Sequence, residues 1–162
     1  MNYIKIYFVK YAAWVTHVVT IIGLFFVAYQ VYQGNEHKKW ENYNSLNIRY
    51  YELYSQIPEV LEHDSCIPFE NHEKKIKVWV RSYLNLYSEE YWLHLHGLMP
   101  EEMWGIRINN GADVNFVNYP LLIKGYQYWK GKGSFIHPEG FIILVDRKIK
   151  AHQNKLNLLE CK

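Results

Sequence analysis

The longest apolar stretch of the chain runs from Tyr11 to Gln33 and contains no Asp, Glu, Lys or Arg. An α-helix rises about 1.5 Å per residue, so this stretch reaches about 35 Å, enough to cross a bilayer core of about 30 Å. Aromatic rings near both ends suit the level of the lipid headgroups. A buried core helix seldom stays uncharged for this long, and a signal peptide has a shorter apolar region. The pattern therefore predicts an uncleaved single-pass membrane helix.

Beyond the apolar stretch, hydrophobic residues recur every three or four positions, as on one face of an amphipathic helix. The first such face begins at Trp40, and Pro58 predicts that its helix bends or ends near Ile57. Residues 63–71 combine turn-forming residues with a proline and predict a loop.

A second helix is predicted from about residue 70 to residue 96, with Gly97 as its C-terminal cap. Its apolar stripe passes through Tyr83 and Tyr87 and reaches either Glu90 or Tyr91. This stripe predicts the side of the helix that faces the core.

Three prolines each precede a helical pattern and predict short helices at about 100–110, 120–130 and 138–155. Glycine-containing turns are expected between them, at residues 109–113 and 131–135. The run Phe-Ile-Ile-Leu-Val at 141–145 also suits a strand, but no comparable partner strand lies nearby. We therefore predict an all-α protein, with one N-terminal transmembrane helix followed by a small aromatic-rich helical bundle.

The corresponding domain organisation is a transmembrane anchor at 1–35, a helical domain at 36–155 and a tail at 156–162. The net charge of +2 is too small to indicate a nucleic-acid partner. Aromatic residues make up 17% of the chain, with 15 Tyr and 6 Trp. Most of them are expected in the core, and a surplus beyond what the core buries would mark a protein contact. The predicted interaction residues are Trp14, His17, Trp40 and Tyr43.

His17 is the only titratable residue well inside the predicted span, and such residues are candidates for a functional site. Trp14 lies one turn earlier on the same helix face. Three interpretations stay open: an axial ligand to a haem or chlorin, a hydrogen bond to a neighbouring subunit, or a neutral imidazole near the interface. His17 is therefore the one cofactor-binding candidate, although no cofactor is expected.

Other chemistry-bearing residues do not form a catalytic or metal-binding pattern. The pair His63 and Cys66, with His72 nearby, and the pair His94 and His96 are the zinc candidates. Residues two apart on a helix point in different directions, which argues against the second pair. The adjacent acidic pairs at 89–90 and 101–102 diverge in the same way, so we assign them surface and capping roles. No catalytic residue and no metal site are predicted, and the protein is expected not to be an enzyme.

Localisation follows from the predicted span, which places the protein in the cell membrane. The positive charges on its two flanks are similar in number and do not fix its orientation. Only two cysteines occur, Cys66 and Cys161, and this number suits a reducing compartment. We therefore expect the helical domain on the cytoplasmic side.

Four segments together resemble small bacterial membrane-anchored proteins of the uncharacterised DUF4760-like kind. They are residues 85–91 with Leu-x-Ser-Glu-Glu-Tyr, 97–104 with a Gly-x-hydrophobic-Pro turn before Trp, 120–129, and 141–146 with Phe-x-x-x-Val-Asp. The resemblance covers residues 8–150 and implies a membrane-tethered helical domain in a bacterium. It carries over no activity and no catalytic residue.

The function expected from these patterns is that of an accessory, assembly or structural subunit of a membrane protein complex. Its partners would be the lipid bilayer and other membrane protein subunits. Two alternatives stay open: a membrane-tethered sensory or regulatory module that binds a ligand, and a cofactor-binding membrane subunit that uses His17. An aromatic pocket with one or two polar groups would distinguish the sensory module.

Overall fold

The structure is a computed structural model that describes residues 2–58 and 67–156. The chain divides into two compact units, Met1–Lys38 and Lys39–Lys162. Every regular element within the described ranges is helical, so the predicted all-α fold is confirmed. The run at 141–145, which also suited a strand, lies in a helix.

The elements, in chain order, are α1 (Asn2–Tyr54), a 3-10 turn (Phe69–Asn71), α2 (Lys74–Leu95), α3 (Glu101–Met103), a π-helical segment (Trp104–Asn109), α4 (Asn110–Asn118), α5 (Pro120–Gly131) and α6 (Phe141–Leu156). Helix α1 ends three residues before Ile57, close to the end predicted from Pro58. Of the predicted loop at 63–71, residues 63–66 lie outside the described residues, as do residues 157–162 of the predicted tail.

The first unit contains the apolar stretch as part of α1, and this helix is long and apolar enough to cross a membrane. None of its most apolar window is buried by the described chain. Trp14, Leu24 and Phe25 are all largely exposed. The apolar side chains of this stretch are therefore available to a nonpolar environment outside the chain.

The second unit has its own hydrophobic core, in which Tyr87 of α2 is a central side chain. Its ring stacks on Trp104 with centroids 6.0 Å apart, and meets Phe141 edge-on at 5.4 Å and Phe116 at 6.3 Å. These contacts join α2 to the π-helical segment, α4 and α6. The stripe predicted on α2 is confirmed as its buried face, and Glu90 as well as Tyr87 lies on it.

Two glycines show how α2 ends and how closely it packs. Gly97 has φ +63°, and the N–H of Leu98 donates to the carbonyl of Leu93 at 2.8 Å, which confirms the predicted C-terminal cap. Gly125 of α5 lies against Val80 and the ring of Phe69, so a Cβ there would collide with both. The absence of a side chain at Gly125 allows this close approach.

Residues 109–113 correct one expectation, because they form helix instead of a turn. The chain runs from α3 through the π-helical segment into α4 without a break. Asn109 accepts a hydrogen bond from the Tyr87 hydroxyl at 3.3 Å through its side chain, and one from Lys148 at 3.0 Å through its carbonyl. These tertiary contacts hold the segment helical despite its turn-like composition. The turn expected at 131–135 is confirmed, with Gly133 at φ +75°.

Candidate functional site: a tyrosine-lined cavity

A cavity of about 260 Å³ lies within the second unit, between α1, α2, the π-helical segment and α4. Tyrosines dominate its wall, and a few polar groups and small residues complete it. The tyrosines are Tyr43, Tyr50, Tyr51, Tyr83 and Tyr87. The other lining residues are Asn47, Leu86, Glu90, Arg107, Ile108, Gly111, Ala112 and Asn115. The wall therefore combines aromatic surface with one acidic and one basic side chain, as a binding site for a small molecule does.

Glu90 is the buried acidic group of this wall, with 7% of its surface exposed. Among the described residues, none donates a hydrogen bond to its carboxyl group. Burial raises the pKa of Glu90 to about 8, with a smaller contribution from the neighbouring charge of Glu89 and an opposing one from Arg49. The carboxyl group is thus mostly protonated near neutral pH and ionises just above it.

Asn115 of α4 orders the tyrosines around Glu90. Its side-chain amide donates to the hydroxyl of Tyr83 at 2.9 Å and reaches that of Tyr50 at 3.4 Å. Burial raises the pKa of both hydroxyls, and the hydrogen bond from Asn115 opposes that shift in each case. Both tyrosines are therefore neutral under physiological conditions and can donate or accept hydrogen bonds.

The π-helical segment supplies the basic group of the wall. Arg107 is exposed at the cavity, and its guanidinium donates to the hydroxyl of Tyr43 on α1 at 2.9 Å. A π-helical turn changes the direction in which side chains leave a helix, and such turns are frequent at functional sites. Here the turn lies where α3 gives way to α4, and Arg107 and Ile108 from it line the cavity.

A buried charge cluster supports the cavity from the side of α6. Lys148, only 7% exposed, donates to the carboxylate of Asp113 at 2.7 Å as well as to Asn109. His152 lies 3.3 Å from the same carboxylate. The cluster links α6 to the first turn of α4 and to the end of the π-helical segment, so it fixes two elements that form the wall.

The residues predicted as interaction candidates lie in different places. Trp14 and His17 are exposed on the apolar stretch of the first unit. In the second unit Trp40 is 39% exposed and packs edge-on against Tyr43 at 6.0 Å. Tyr43 itself is buried, so its side chain belongs to the cavity wall instead of an open surface.

The histidines considered for zinc lie in separate surroundings. The ring of His94 stacks on Trp104 at 4.6 Å, whereas that of His96 stacks on Trp92 at 4.1 Å. His63 and Cys66 lie outside the described residues. In the part of the chain that the structure describes, no three His, Cys, Asp or Glu side chains are grouped as metal ligands would be.

Sequence reasoning missed the role of Glu90, which it assigned with Glu89 to the surface. The two carboxylates do diverge as expected: Glu89 pairs with Arg49 at 2.8 Å, and Glu90 turns into the bundle. The signal for this difference was present, because Glu90 falls on the apolar stripe of α2. Arg107 and Asn115 had no comparable signal, since their importance comes from the residues that α1 and α2 place opposite them.

Fold and cavity together define an all-α protein whose helical unit contains a tyrosine-lined cavity. Comparison of the chain with protein-family models, with curated proteins and with solved structures gives no match. The DUF4760-like resemblance thus stays a prediction, and the cavity is the feature from which a function can be argued.

Proposed function

We propose that the protein is a membrane-tethered, non-enzymatic sensory or regulatory module that binds a small molecule in the tyrosine-lined cavity. The observation that carries this proposal is Glu90, a buried carboxyl group that lines a cavity without a hydrogen-bond donor from the described chain. A ligand in the cavity can supply the hydrogen-bond donor or countercharge that the described chain does not give this carboxyl group. The site therefore has a physical reason to be occupied.

The tether in this proposal is the apolar stretch of α1. Its length and composition suit a single membrane span, and its exposed aromatic and aliphatic side chains suit lipid. We place the second unit on the cytoplasmic side. Protease digestion of intact and lysed spheroplasts tests this placement, because a cytoplasmic unit is cut only after lysis.

Binding in the cavity is tested by thermal unfolding of the full chain in nanodiscs with a library of small metabolites. Gly111 offers a way to close the cavity: it lines the wall, and a Cβ there meets no atom within 4 Å. Gly111→Leu should remove any ligand-induced rise in Tm. Gly131→Leu is the matched control, because a Cβ at Gly131 is equally free of neighbours and Gly131 does not line the cavity.

Two results would contradict ligand binding in this cavity. One is a library in which no compound raises the Tm of the wild-type protein at millimolar concentration. The other is a ligand whose effect survives unchanged in Gly111→Leu, because such a ligand binds elsewhere.

An accessory subunit of a membrane complex is the second candidate function. It is favoured by large apolar side chains that the second unit leaves exposed, among them Trp92, Ile106 and Ile143. Extraction in mild detergent at native expression level, followed by sizing and mass spectrometry, tests it. A defined larger complex would support this function, and a lone species at the mass of the chain would count against it.

A further inference from the structure

Glu90 differs from three other acidic groups of the second unit, because no cation among the described residues forms a salt bridge with it. Glu89 pairs with Arg49 at 2.8 Å, Asp113 with Lys148 at 2.7 Å, and Asp146 with Lys130 at 2.6 Å. Glu90 is more deeply buried than these three, yet none of the described residues forms a salt bridge or a hydrogen bond with its carboxyl group. An ionised carboxylate that is buried is normally paired, so a cation in the cavity is the partner that would stabilise the charged form of Glu90.

The side chains next to Glu90 suit an organic cation. Five tyrosine rings line the same cavity, and the negative face of an aromatic ring attracts an ammonium group within about 6 Å. The hydroxyls of Tyr50 and Tyr83 can also accept hydrogen bonds from an ammonium N–H. We infer that the cavity binds an organic ammonium ion, whose charged nitrogen lies against Glu90 among the tyrosines. This inference rests on the proposed ligand-binding function and names the class of its ligand.

The size of the cavity limits the ligand to a small metabolite. A water molecule occupies about 30 Å³ of liquid, so 260 Å³ corresponds to about nine waters. An amine of about ten non-hydrogen atoms fits this space.

The charged groups that face the cavity explain why an anion is the poorer fit. Arg107 is exposed and already bonded to the Tyr43 hydroxyl, and Arg49 is bonded to Glu89. An anion deep in the cavity would oppose ionisation of Glu90, whereas an ammonium ion favours it. A ligand that carries both an ammonium and a carboxylate could place the second group at Arg107, so amines and amino-acid-like zwitterions share the same binding chemistry at Glu90.

Protonation of Glu90 makes the binding pH-dependent. The groups that interact electrostatically with this carboxyl are Arg49 and Tyr50 from α1 and Glu89, Tyr83 and Tyr87 from α2. Arg107 from the π-helical segment lines the same cavity. Burial holds the pKa of Glu90 at about 8, and an ammonium ion favours the ionised form. Binding of a permanently charged cation therefore releases a proton, and its affinity rises about tenfold per pH unit up to about pH 8.

The experiment is isothermal titration of the full chain in nanodiscs with choline and with its neutral isostere 3,3-dimethylbutan-1-ol. Butylammonium and butan-1-ol form the corresponding pair for a primary amine, and 3,3-dimethylbutanoate tests an anion of similar shape. We expect at least one cation to bind about tenfold more tightly than its neutral isostere. That preference should disappear in Glu90→Gln and persist in Glu89→Gln, which removes the adjacent carboxylate outside the cavity.

Two further measurements separate this inference from a structural role of Glu90. The charge of choline does not depend on pH, so in the wild type its affinity should rise between about pH 6 and pH 8 and then level off. In Glu90→Gln its affinity should not show this rise. The second measurement compares the affinities of 4-aminobutanoate and butylammonium in the wild type and in Arg107→Gln. It reports whether the cavity also accepts a carboxylate on the ligand. Tighter binding of 4-aminobutanoate that is lost in Arg107→Gln identifies a zwitterion.

The outcomes distinguish the two proposals. Equal or tighter binding of the neutral isosteres or of the anion, blocked by Gly111→Leu, overturns the ammonium inference and leaves ligand binding in place. The ammonium inference is also overturned, with ligand binding left in place, if only other compounds of the metabolite library bind and Gly111→Leu abolishes their binding. If no probe and no library compound binds, both proposals fail.

Discussion

The side-chain amide of Asn115 donates a hydrogen bond to the hydroxyl of Tyr83 at 2.9 Å, and both groups are buried. Helix α4 thereby fixes the orientation of a tyrosine that α2 contributes to the cavity. Asn115→Leu keeps a similar volume but leaves the Tyr83 hydroxyl without this donor. We expect the free energy of unfolding to fall by about 1–3 kcal/mol, the usual cost of a buried unpaired polar group, as measured by chemical denaturation.

Tyr83→Phe provides the control for this pair, because it removes the hydroxyl and leaves the ring. It should cost about 1 kcal/mol alone and partly restore stability when added to Asn115→Leu. If the double variant loses the sum of the two single losses in unfolding free energy, the hydrogen bond contributes no coupling energy.

Glu90 makes the stability of the protein depend on pH. The folded protein retains the proton of this carboxyl up to about pH 8, whereas the unfolded chain loses it near the ordinary value of 4.5. Between these values the folded state binds more protons, so stability contributed by this group falls as pH rises. Glu90→Gln should therefore be neutral at about pH 3.5, below the unfolded pKa, and stabilising at about pH 9. The gap between the two pKa values sets an upper limit of about 5 kcal/mol.

Chemical denaturation of wild type and Glu90→Gln across this pH range measures the difference between their free energies of unfolding. The contributions of other titrating groups cancel in this difference. Glu89→Gln serves as the comparison, since it removes the adjacent carboxylate, whose side chain is half exposed. A difference for Glu90→Gln that is the same at both ends of the range would refute the raised pKa.

The fold was predictable from the sequence because each helix carries its own periodic signal. The buried stripe of α2, the cap at Gly97 and the end of α1 before Pro58 all follow from residues close together in the chain. The continuation of the helix through residues 109–113 did not follow, because it depends on Tyr87 and Lys148, which lie elsewhere in the sequence.

The cavity was not predictable for the same reason. Tyr50 and Asn115 meet across 65 positions of sequence, and Arg107 reaches Tyr43 across 64. The pattern of α2 placed Glu90 on the inner face, but only the packing of α1 and α4 decides whether that face meets apolar side chains or a cavity. A single sequence contains no direct signal for such a distant arrangement.

Gly125 should tolerate no side chain, because α5 approaches α2 and the 3-10 turn most closely there. A Cβ at this position would collide with Val80 and lie 2.9 Å from the ring of Phe69. We expect Gly125→Ala to lower stability by about 1–3 kcal/mol through overpacking. Gly111→Ala is the contrasting variant: its Cβ meets no atom within 4 Å, and alanine favours the helix by about 0.5–1 kcal/mol. Thermal unfolding of both should shift Tm in opposite directions; equal shifts would refute the close approach.

The Lys148–Asp113 pair should matter more to stability than the exposed pair between Arg49 and Glu89. Lys148 is buried, so Asp113→Asn leaves its ammonium group without a countercharge. We expect a loss of about 3 kcal/mol, little changed by salt, because removing one partner of a buried pair exposes the desolvation cost of the other. Glu89→Gln should cost less than about 1 kcal/mol, since both side chains of that pair are nearly half exposed. Denaturation at low and high ionic strength separates the two cases. Similar costs for both variants would mean that the contact of α6 with α4 and with the cavity wall does not depend on this charge pair.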